Sequence, residues 1–422
     1  MVGYVSTSGS GPVSLEEAVL QSLPPDGGLY VPTRRLEFSW PPPDMVSTAE
    51  WAAPLLLPDL EPEVVGSVAA DACNFPFPLI ELDAGRFVLE LFHGPTHAFK
   101  DVGARFMANL VSRMVTESGR SVTVLVATSG DTGGAVASAF LGQSGTRVVA
   151  LFPQDGVSER QRRQMTTLGD NVEAVAVRGT FDDCQRLVKA AFVDEEISQS
   201  HGLTSANSIN VARLLPQAIY FLDVTRHISE PAHFVVPSGN LGNLCAGLIS
   251  ANAGMPNAGF TAAFNRNHGI ADFLRGDPFE AKPSVPTVSN AMDVGDPSNL
   301  ERIRWLYGND DDAVRHDVRG DWVSDEETVR TIAEVHARTG YVMDPHTAVA
   351  HAAAIRLDAA AFPTVTLATA HPGKFPEVVQ RAIGAPVETP LAILEASERN
   401  EVMSMIRPNL EELRDLLDRR HL

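Results

Sequence analysis

Only four lysines occur in 422 residues, and one of them, Lys100, sits in the run His93-Gly94-Pro95-Thr96-His97-Ala98-Phe99-Lys100-Asp101. Small residues and an aromatic surround this amine where a Gly-Pro turn gives way to a helix-like segment. An amine held in a pocket is poorly solvated, so its pKa falls and it becomes a nucleophile toward carbonyls. A surface lysine at a helix start would carry the same residues, so the rest of the chain has to decide. Two glycine-rich loops bear on the choice. Thr128-Ser129-Gly130-Asp131-Thr132-Gly133-Gly134 and Pro237-Ser238-Gly239-Asn240-Leu241-Gly242-Asn243 each follow a β-branched run and open a helix. Their glycines permit tight turns, and N–H groups and hydroxyls at a helix N-terminus suit a carboxylate or phosphate. Neither loop has the dinucleotide GxGxxG spacing, and no GxxxxGK[ST] occurs. A third cluster, Asn207-Ser208-Ile209-Asn210-Val211-Ala212-Arg213, offers amides, a hydroxyl and a guanidinium. On a helical turn Asn210 and Arg213 can face one anion, which arginine grips with a bidentate fork. A helix N-cap with a solvated face fits the same residues. A fourth cluster, Thr369-Ala370-His371-Pro372-Gly373-Lys374-Phe375, closes a strand.

Alternating strands and helices must position these clusters. Strands are expected at 87–91, 122–127, 148–152, 172–177, 234–236 and 365–368, with helices at 101–118, 133–143 and 181–195. That alternation predicts an α/β fold with parallel sheets, whose ligands sit at the carboxyl ends of the strands. The first 80 or so residues are proline-rich, with a turn at Pro24-Pro25-Asp26-Gly27-Gly28, a stiff break at Pro41-Pro42-Pro43 and a helix capped by Ser14. They read as a small accessory domain. The predicted division is 1–85 for that domain, 86–205 for a smaller mobile α/β domain, and 206–422 for a larger one. Residues 410–422 read as a charged amphipathic packing helix.

Charge narrows the partners. Acidic residues outnumber basic ones 53 to 33, a formal net charge of −20. Nucleic acid and anionic membrane surfaces demand basic patches, so neither is expected. An anionic substrate must be held by a local cluster of donors, against the overall field. Cys73, Cys184 and Cys245 are widely spaced without CxxC, so neither a disulfide framework nor a zinc site is expected. The first residues show no signal-peptide pattern and no stretch reaches the length of a membrane span, so the cytoplasm is the expected compartment. His346 and His351 read as core or turn residues, while His93 and His371 flank the site loops.

Taken together the clusters resemble the threonine synthases, fold-type II pyridoxal-phosphate enzymes related to the tryptophan synthase β chain, in their longer class with an N-terminal accessory domain. The resemblance runs from Asp26–Pro32 through His93–Lys100, Ser129–Gly133, Asn207–Gln217 and Gly239–Asn243. It continues through Asn290–Asn299, Asp344–Val349 and Thr369–Phe375. It implies two parallel-sheet domains beside the accessory one. It also implies that Lys100, with Phe99 beside it, carries the cofactor as an aldimine and acts as the catalytic base. Gly239, Asn240, Leu241, Gly242 and Asn243 would cradle the cofactor phosphate, and Thr369 would face the pyridine nitrogen. Asp131 would lie near the phenolic oxygen, where related enzymes often have asparagine. Thr128, Ser129, Gly130 and Thr132 would grip the substrate carboxylate. Asn207, Ser208, Asn210 and Arg213 would hold the phosphate of O-phospho-L-homoserine. The implied reaction eliminates that phosphate and adds water to give L-threonine, with no metal. The alternatives are a phospho-lyase releasing 2-oxobutyrate from the same substrate and a non-catalytic ligand-binding relative. A monomer and a homodimer are equally compatible with the sequence. His97 and Leu241 depart from the family pattern, in which an aliphatic residue and a phenylalanine are common.

Overall fold

The computed structural model describes residues 3–38, 47–128, 130–357 and 361–419, so the Pro41-Pro42-Pro43 break and Ser129 lie outside the described residues. Among these, the strands in chain order are β1 (Tyr4–Ser6), β2 (Tyr30–Pro32), β3 (Leu79–Asp83), β4 (Arg86–Glu90), β5 (Val122–Ala127), β6 (Thr146–Pro153) and β7 (Val172–Val177). They continue as β8 (Leu203–Thr204), β9 (His233–Pro237), β10 (Gly259–Phe264), β11 (Val318–Trp322), β12 (Thr364–Ala368) and β13 (Ser404–Ile406). A large sheet runs β11-β10-β9-β12-β4-β3 and a smaller one β13-β7-β6-β5-β8, while β1 and β2 pair alone. The small sheet is wholly parallel, and in the large sheet only β3 runs antiparallel to its neighbour. Every residue of β5, β9 and β12 is buried, as continuous apolar strands covered on both faces should be.

The two sheets do not divide the chain at residues 86 and 205. The β3–β4 hairpin belongs to the large sheet, although β4 begins the segment assigned to the small domain. At the other end, β13 pairs with β7, and helix Leu410–Asp418 buries Leu413, Leu416 and Leu417 against the small-sheet core. Sheet pairing recruits strands from distant parts of the chain. Helix Lys100–Ser118 packs against helix Asp131–Phe140, which starts two residues before the expected position.

The accessory domain is tied to the rest of the fold by buried hydrogen bonds. Ser14 caps helix Leu15–Gln21 through a reciprocal bond with Glu17, which fixes how the chain enters that helix. The far end of that helix is stitched to the Ser205–Leu214 segment by Asn210, whose side chain is fully buried. The Asn210 amide donates to the Val19 carbonyl (2.8 Å), Ser22 Oγ (2.9 Å) and the Ser205 carbonyl (3.0 Å). Its Oδ1 accepts from the Ala212 N–H (2.9 Å) and so starts helix Val211–Leu214. Asn210→Leu strands these groups in an apolar interior, at about 1–3 kcal/mol for each one left unpaired. The expected result is a lowered urea midpoint with the m-value unchanged, measured by circular dichroism.

Candidate active site

Lys100 owes its place to a short antiparallel contact at the carboxyl end of β12. Ala98 bridges Ala370, the Phe99 N–H donates to the Thr369 carbonyl (2.9 Å), and the His371 N–H donates to the His97 carbonyl (3.1 Å). The turn before it is locked by Asp101, whose carboxylate accepts from the Thr96 N–H (2.9 Å) and Thr96 Oγ1 (2.6 Å). His97 takes the left-handed conformation (φ 56°) inside this turn, and its ring meets that of His371 edge-on at 5.8 Å. Lys100 is thus the first residue of its helix, with Nζ 5.7 Å from the Phe99 ring centre. Burial lowers its pKa to about 8, with Lys374 and Arg213 pushing the same way and Asp131 opposing.

The loop after β5 is braced from within. Thr128 Oγ1 accepts from the N–H groups of Gly130 (3.0 Å) and Gly133 (2.8 Å), so its hydroxyl shapes the loop instead of offering itself to a ligand. Gly130 has φ 141°, a conformation open to glycine alone, and a Cβ there would lie 2.5 Å from Gln161 Cδ. Asp131 then opens the helix, 4% exposed, and half-buried Thr132 follows it. Lys374 Nζ stands 2.7 Å from Asp131 Oδ1, which also accepts from Gln161 Nε2 (3.2 Å). Burial drives this carboxyl's pKa up. Lys374, then Lys100, outweigh that and hold it well below the usual carboxylate range.

The loop after β9 has the shape of an anion cradle. Leu241 adopts a left-handed conformation (φ 60°) just before helix Gly242–Asn252, whose first N–H groups have no intrahelical acceptor. At Gly239 a Cβ would lie 3.0 Å from Met292 Cα, and at Gly242 it would lie 3.2 Å from Ser208 Cβ. These glycines let the neighbouring chain close tightly around the loop. Asn240 Nδ2 donates to Ser208 Oγ (2.7 Å), its Oδ1 accepts from the Ser298 N–H (2.6 Å), and its carbonyl accepts from Asn299 Nδ2 (2.9 Å). Asn243 Oδ1 accepts from the Tyr220 hydroxyl (2.7 Å), and its buried Nδ2 has no partner among the described residues. Helix-start N–H groups without a side-chain cap, an orphaned amide and the crowded glycines fit a phosphate ester here.

A second cationic corner lies beneath Lys100. Helices Lys100–Ser118 and Val211–Leu214 approach so closely at Gly103 that a Cβ would meet the Arg213 carbonyl at 2.5 Å. Arg213 is 3% exposed; its Nη1 donates to the Ala206 carbonyl, and its Nε is buried without a partner among the described residues. Burial lowers its pKa to about 10, which leaves it charged at neutral pH. Asn207 donates to the Ala127 carbonyl (3.2 Å), and its Oδ1 also lacks a partner there. Asn210 does not join them. Its donors and acceptor are spent on the accessory segment and on the helix start, so the N-cap reading of that residue prevails. A cleft of about 1190 Å³ opens beside this corner, walled by Leu20, Leu29, Lys189, Asn207, Asn240 and Ser298.

Sequence reasoning gave no role to Arg302. Its fully buried guanidinium donates to the carbonyls of Tyr30 (3.1 Å), Ser208 (3.1 Å) and Ile209 and to Asn299 Oδ1 (2.9 Å). One side chain therefore fixes the accessory segment, the Asn207–Ile209 turn and, through Asn299, the Asn240 loop. Lys374 was visible only as part of the fourth cluster, because its partner Asp131 lies far upstream. His346, as expected of a core residue, is buried; its Nε2 accepts from the Ala291 N–H (3.2 Å), so Nδ1 carries the proton given to Asp344 (2.7 Å). Among the described residues no group of three or more His, Cys, Asp or Glu side chains could hold a metal ion.

A lysine at a helix start, a glycine cradle at one strand end and a polar loop at another form the site of a fold-type II pyridoxal-phosphate enzyme. The family described as pyridoxal-phosphate dependent enzyme matches residues 75–370. The assignment narrows at both ends, where residues 3–51 match the threonine synthase N terminus and residues 347–417 the threonine synthase C-terminal region. The chain is 36% identical to the threonine synthase of Pseudomonas aeruginosa, over 96% of each chain. Its structure resembles that of threonine synthase from Escherichia coli (TM-score 0.91, 35% identity, 99% of each chain). It resembles the pyridoxal-phosphate-bound threonine synthase of Brucella melitensis as closely (TM-score 0.91, 33% identity, 99% of each chain). The chain belongs to the threonine synthase family.

With its pKa near 8, Lys100 passes from unreactive cation to free amine about two pH units before an ordinary lysine. Competitive acetylation of the cofactor-free protein, read lysine by lysine through peptide mass mapping, should reach half-maximal labelling of Lys100 near pH 8.

Proposed function

We propose that the protein converts O-phospho-L-homoserine and water to L-threonine and phosphate. The carrying observation is a glycine-lined helix start at Gly239–Asn243 together with a buried guanidinium, Arg213, whose charge acts on Lys100. A substrate whose amino end reacts at the cofactor while its far end carries a phosphate needs both. Pyridoxal phosphate, when bound, supplies the electron sink for carbanion chemistry at the substrate α-carbon. Lys100 would bear the cofactor at Nζ with Phe99 alongside, and its released amine would move protons at the α- and β-carbons. The N–H groups of Gly239, Asn240, Leu241, Gly242 and Asn243 would hold the cofactor phosphate. Thr369, just beyond β12, would offer the ring nitrogen a neutral hydroxyl. Ser129, Gly130 and Thr132 would grip the substrate carboxylate, with Thr128 keeping their loop in shape. Arg213, Asn207 and Ser208 would hold the γ-phosphate as it leaves.

The cleft beside Asn207 would admit the substrate, and movement of the small sheet would close it against competing water. Three free cysteines support the cytoplasm as the compartment, and among the described residues no helix is long and apolar enough to cross a membrane.

Product analysis tests the reaction. Incubation with O-phosphohomoserine should yield threonine and phosphate in equal amounts; 2-oxobutyrate as the sole organic product would assign the phospho-lyase reaction instead. Arg213→Lys should raise KM for the phosphorylated substrate about 30-fold or more, the loss expected when a buried charged contact is broken. Binding of pyridoxal phosphate should change far less. A variant that loses cofactor and substrate binding equally would place Arg213 outside the substrate-phosphate site.

A further inference from the structure

We propose that Lys374 serves cofactor attachment through Asp131: by pairing with that carboxylate inside the site, it keeps it from pairing with Lys100. The inference rests on Lys100 as the cofactor-bearing residue. Lys374 is a positioning residue here, since it acts on Lys100 only through its neighbour.

The geometry is that of a built ion pair. Lys374 is 1% exposed, on the short turn Pro372–Lys374 that follows β12. Its Nζ meets Asp131 Oδ1 at 2.7 Å and donates to the Thr96 carbonyl at 3.0 Å. Thr96 is also the residue that binds Asp101, so Lys374 reaches both the carboxylate facing Lys100 and the turn that carries it. Gln164 Nε2 donates to the same carbonyl (3.2 Å), and the Arg160 guanidinium donates to the Gly373 carbonyl. The pair therefore joins the end of the large sheet to helices of the small domain.

Attachment requires an unprotonated amine. Lys100 Nζ bonds to the aldehyde carbon, and the aldehyde oxygen leaves as water carrying both amine protons. The charged groups around that amine are Asp131 from the first loop, Lys374 from the turn after β12 and Arg213 from helix Val211–Leu214; Asp101, on its own helix, acts on Arg213. His97 and His371 also face Lys374, and His346 faces Asp131. Asp101 is tied to Thr96, which leaves Asp131 as the carboxylate able to hold a proton on Lys100. An unpaired Asp131 would do so strongly in this buried setting. Lys374 opposes it twice, by occupying the carboxylate and by repelling a second positive charge. The sign follows: without Lys374 the proton on Lys100 is held to higher pH, and without Asp131 it is released at lower pH.

The test follows absorbance as pyridoxal phosphate is added to the cofactor-free protein across pH, with Lys100→Ala as the blank that must show no attachment. Attachment in that blank would sink the assignment of Lys100 itself, a result separate from the present question. Lys374→Met should move the midpoint of the rate profile up by a unit or more, slowing attachment at pH 7 about tenfold or more. Asp131→Asn should move the midpoint down, and Lys374→Met combined with Asp131→Asn should bring it back to within about half a unit of the parent. Lys374→Arg, which keeps the charge, should leave it near the parent. If Lys374→Met fails to fold, Asp131→Asn and the double variant still decide. Midpoints unchanged in all variants, or a double variant no closer to the parent than Lys374→Met, would overturn the proposal and leave the pair a brace for the Thr96 turn.

Discussion

A protein of net charge −20 that handles phosphate must gather positive potential in one place and protect it from its own surface. This one does so by burying cations. Lys374, Arg213 and Arg302 are buried in or against the site beside half-buried Lys100, while the carboxylates Asp131 and Asp101 are each held by a fixed partner. Buried charge is costly unless hydrogen-bonded. Arg302 meets that cost with three carbonyls and an amide oxygen, and Lys374 with a carboxylate and a carbonyl. Arg213 is the exception, because its Nε has no partner among the described residues. The guanidinium with unused capacity is the one at the corner that opens toward the cleft.

The accessory segment is part of the same economy of donors. Tyr30 gives a carbonyl to Arg302, while Val19 and Ser22 give acceptors to Asn210. Both recipients hold the turn on which Asn207 and Ser208 stand. Without these acceptors, two buried polar side chains would face apolar surroundings and the turn would lose its shape. The accessory segment is thus a wall of the site as well as an appendage of the fold.

Much of this was legible in the sequence. The runs 122–127 and 172–177 are strands with those same bounds, and the glycine loops do follow strands and open helices. Local chemistry decides such features, so local residues reveal them. Asn210 shows the limit: its i, i+3 spacing to Arg213 is real, but a capping asparagine spends its oxygen on the helix start, and its amide found acceptors nearly two hundred residues away. Lys374 and Arg302 were legible only as residue types, since their partners lie in other parts of the chain. The helix at Asp131 begins early because Gly130, at φ 141°, makes the turn in a single residue. Sheet membership was hidden for a related reason, as hydrophobic runs show that a strand exists and not which sheet takes it.

That last feature has a bearing on how the molecule is made. The large sheet has all its strands once β12 has been synthesised, and the amine-bearing helix can then dock on it. The small sheet is different: β7 waits for a neighbour more than two hundred residues downstream, and part of its core comes with Leu413, Leu416 and Leu417. Contacts of such long sequence separation form late and slowly. A nascent chain would therefore carry a finished large domain beside an unfinished small one, with an exposed strand edge that invites the wrong partners. The interval between the synthesis of β12 and that of β13 is when this edge of β7 lies open.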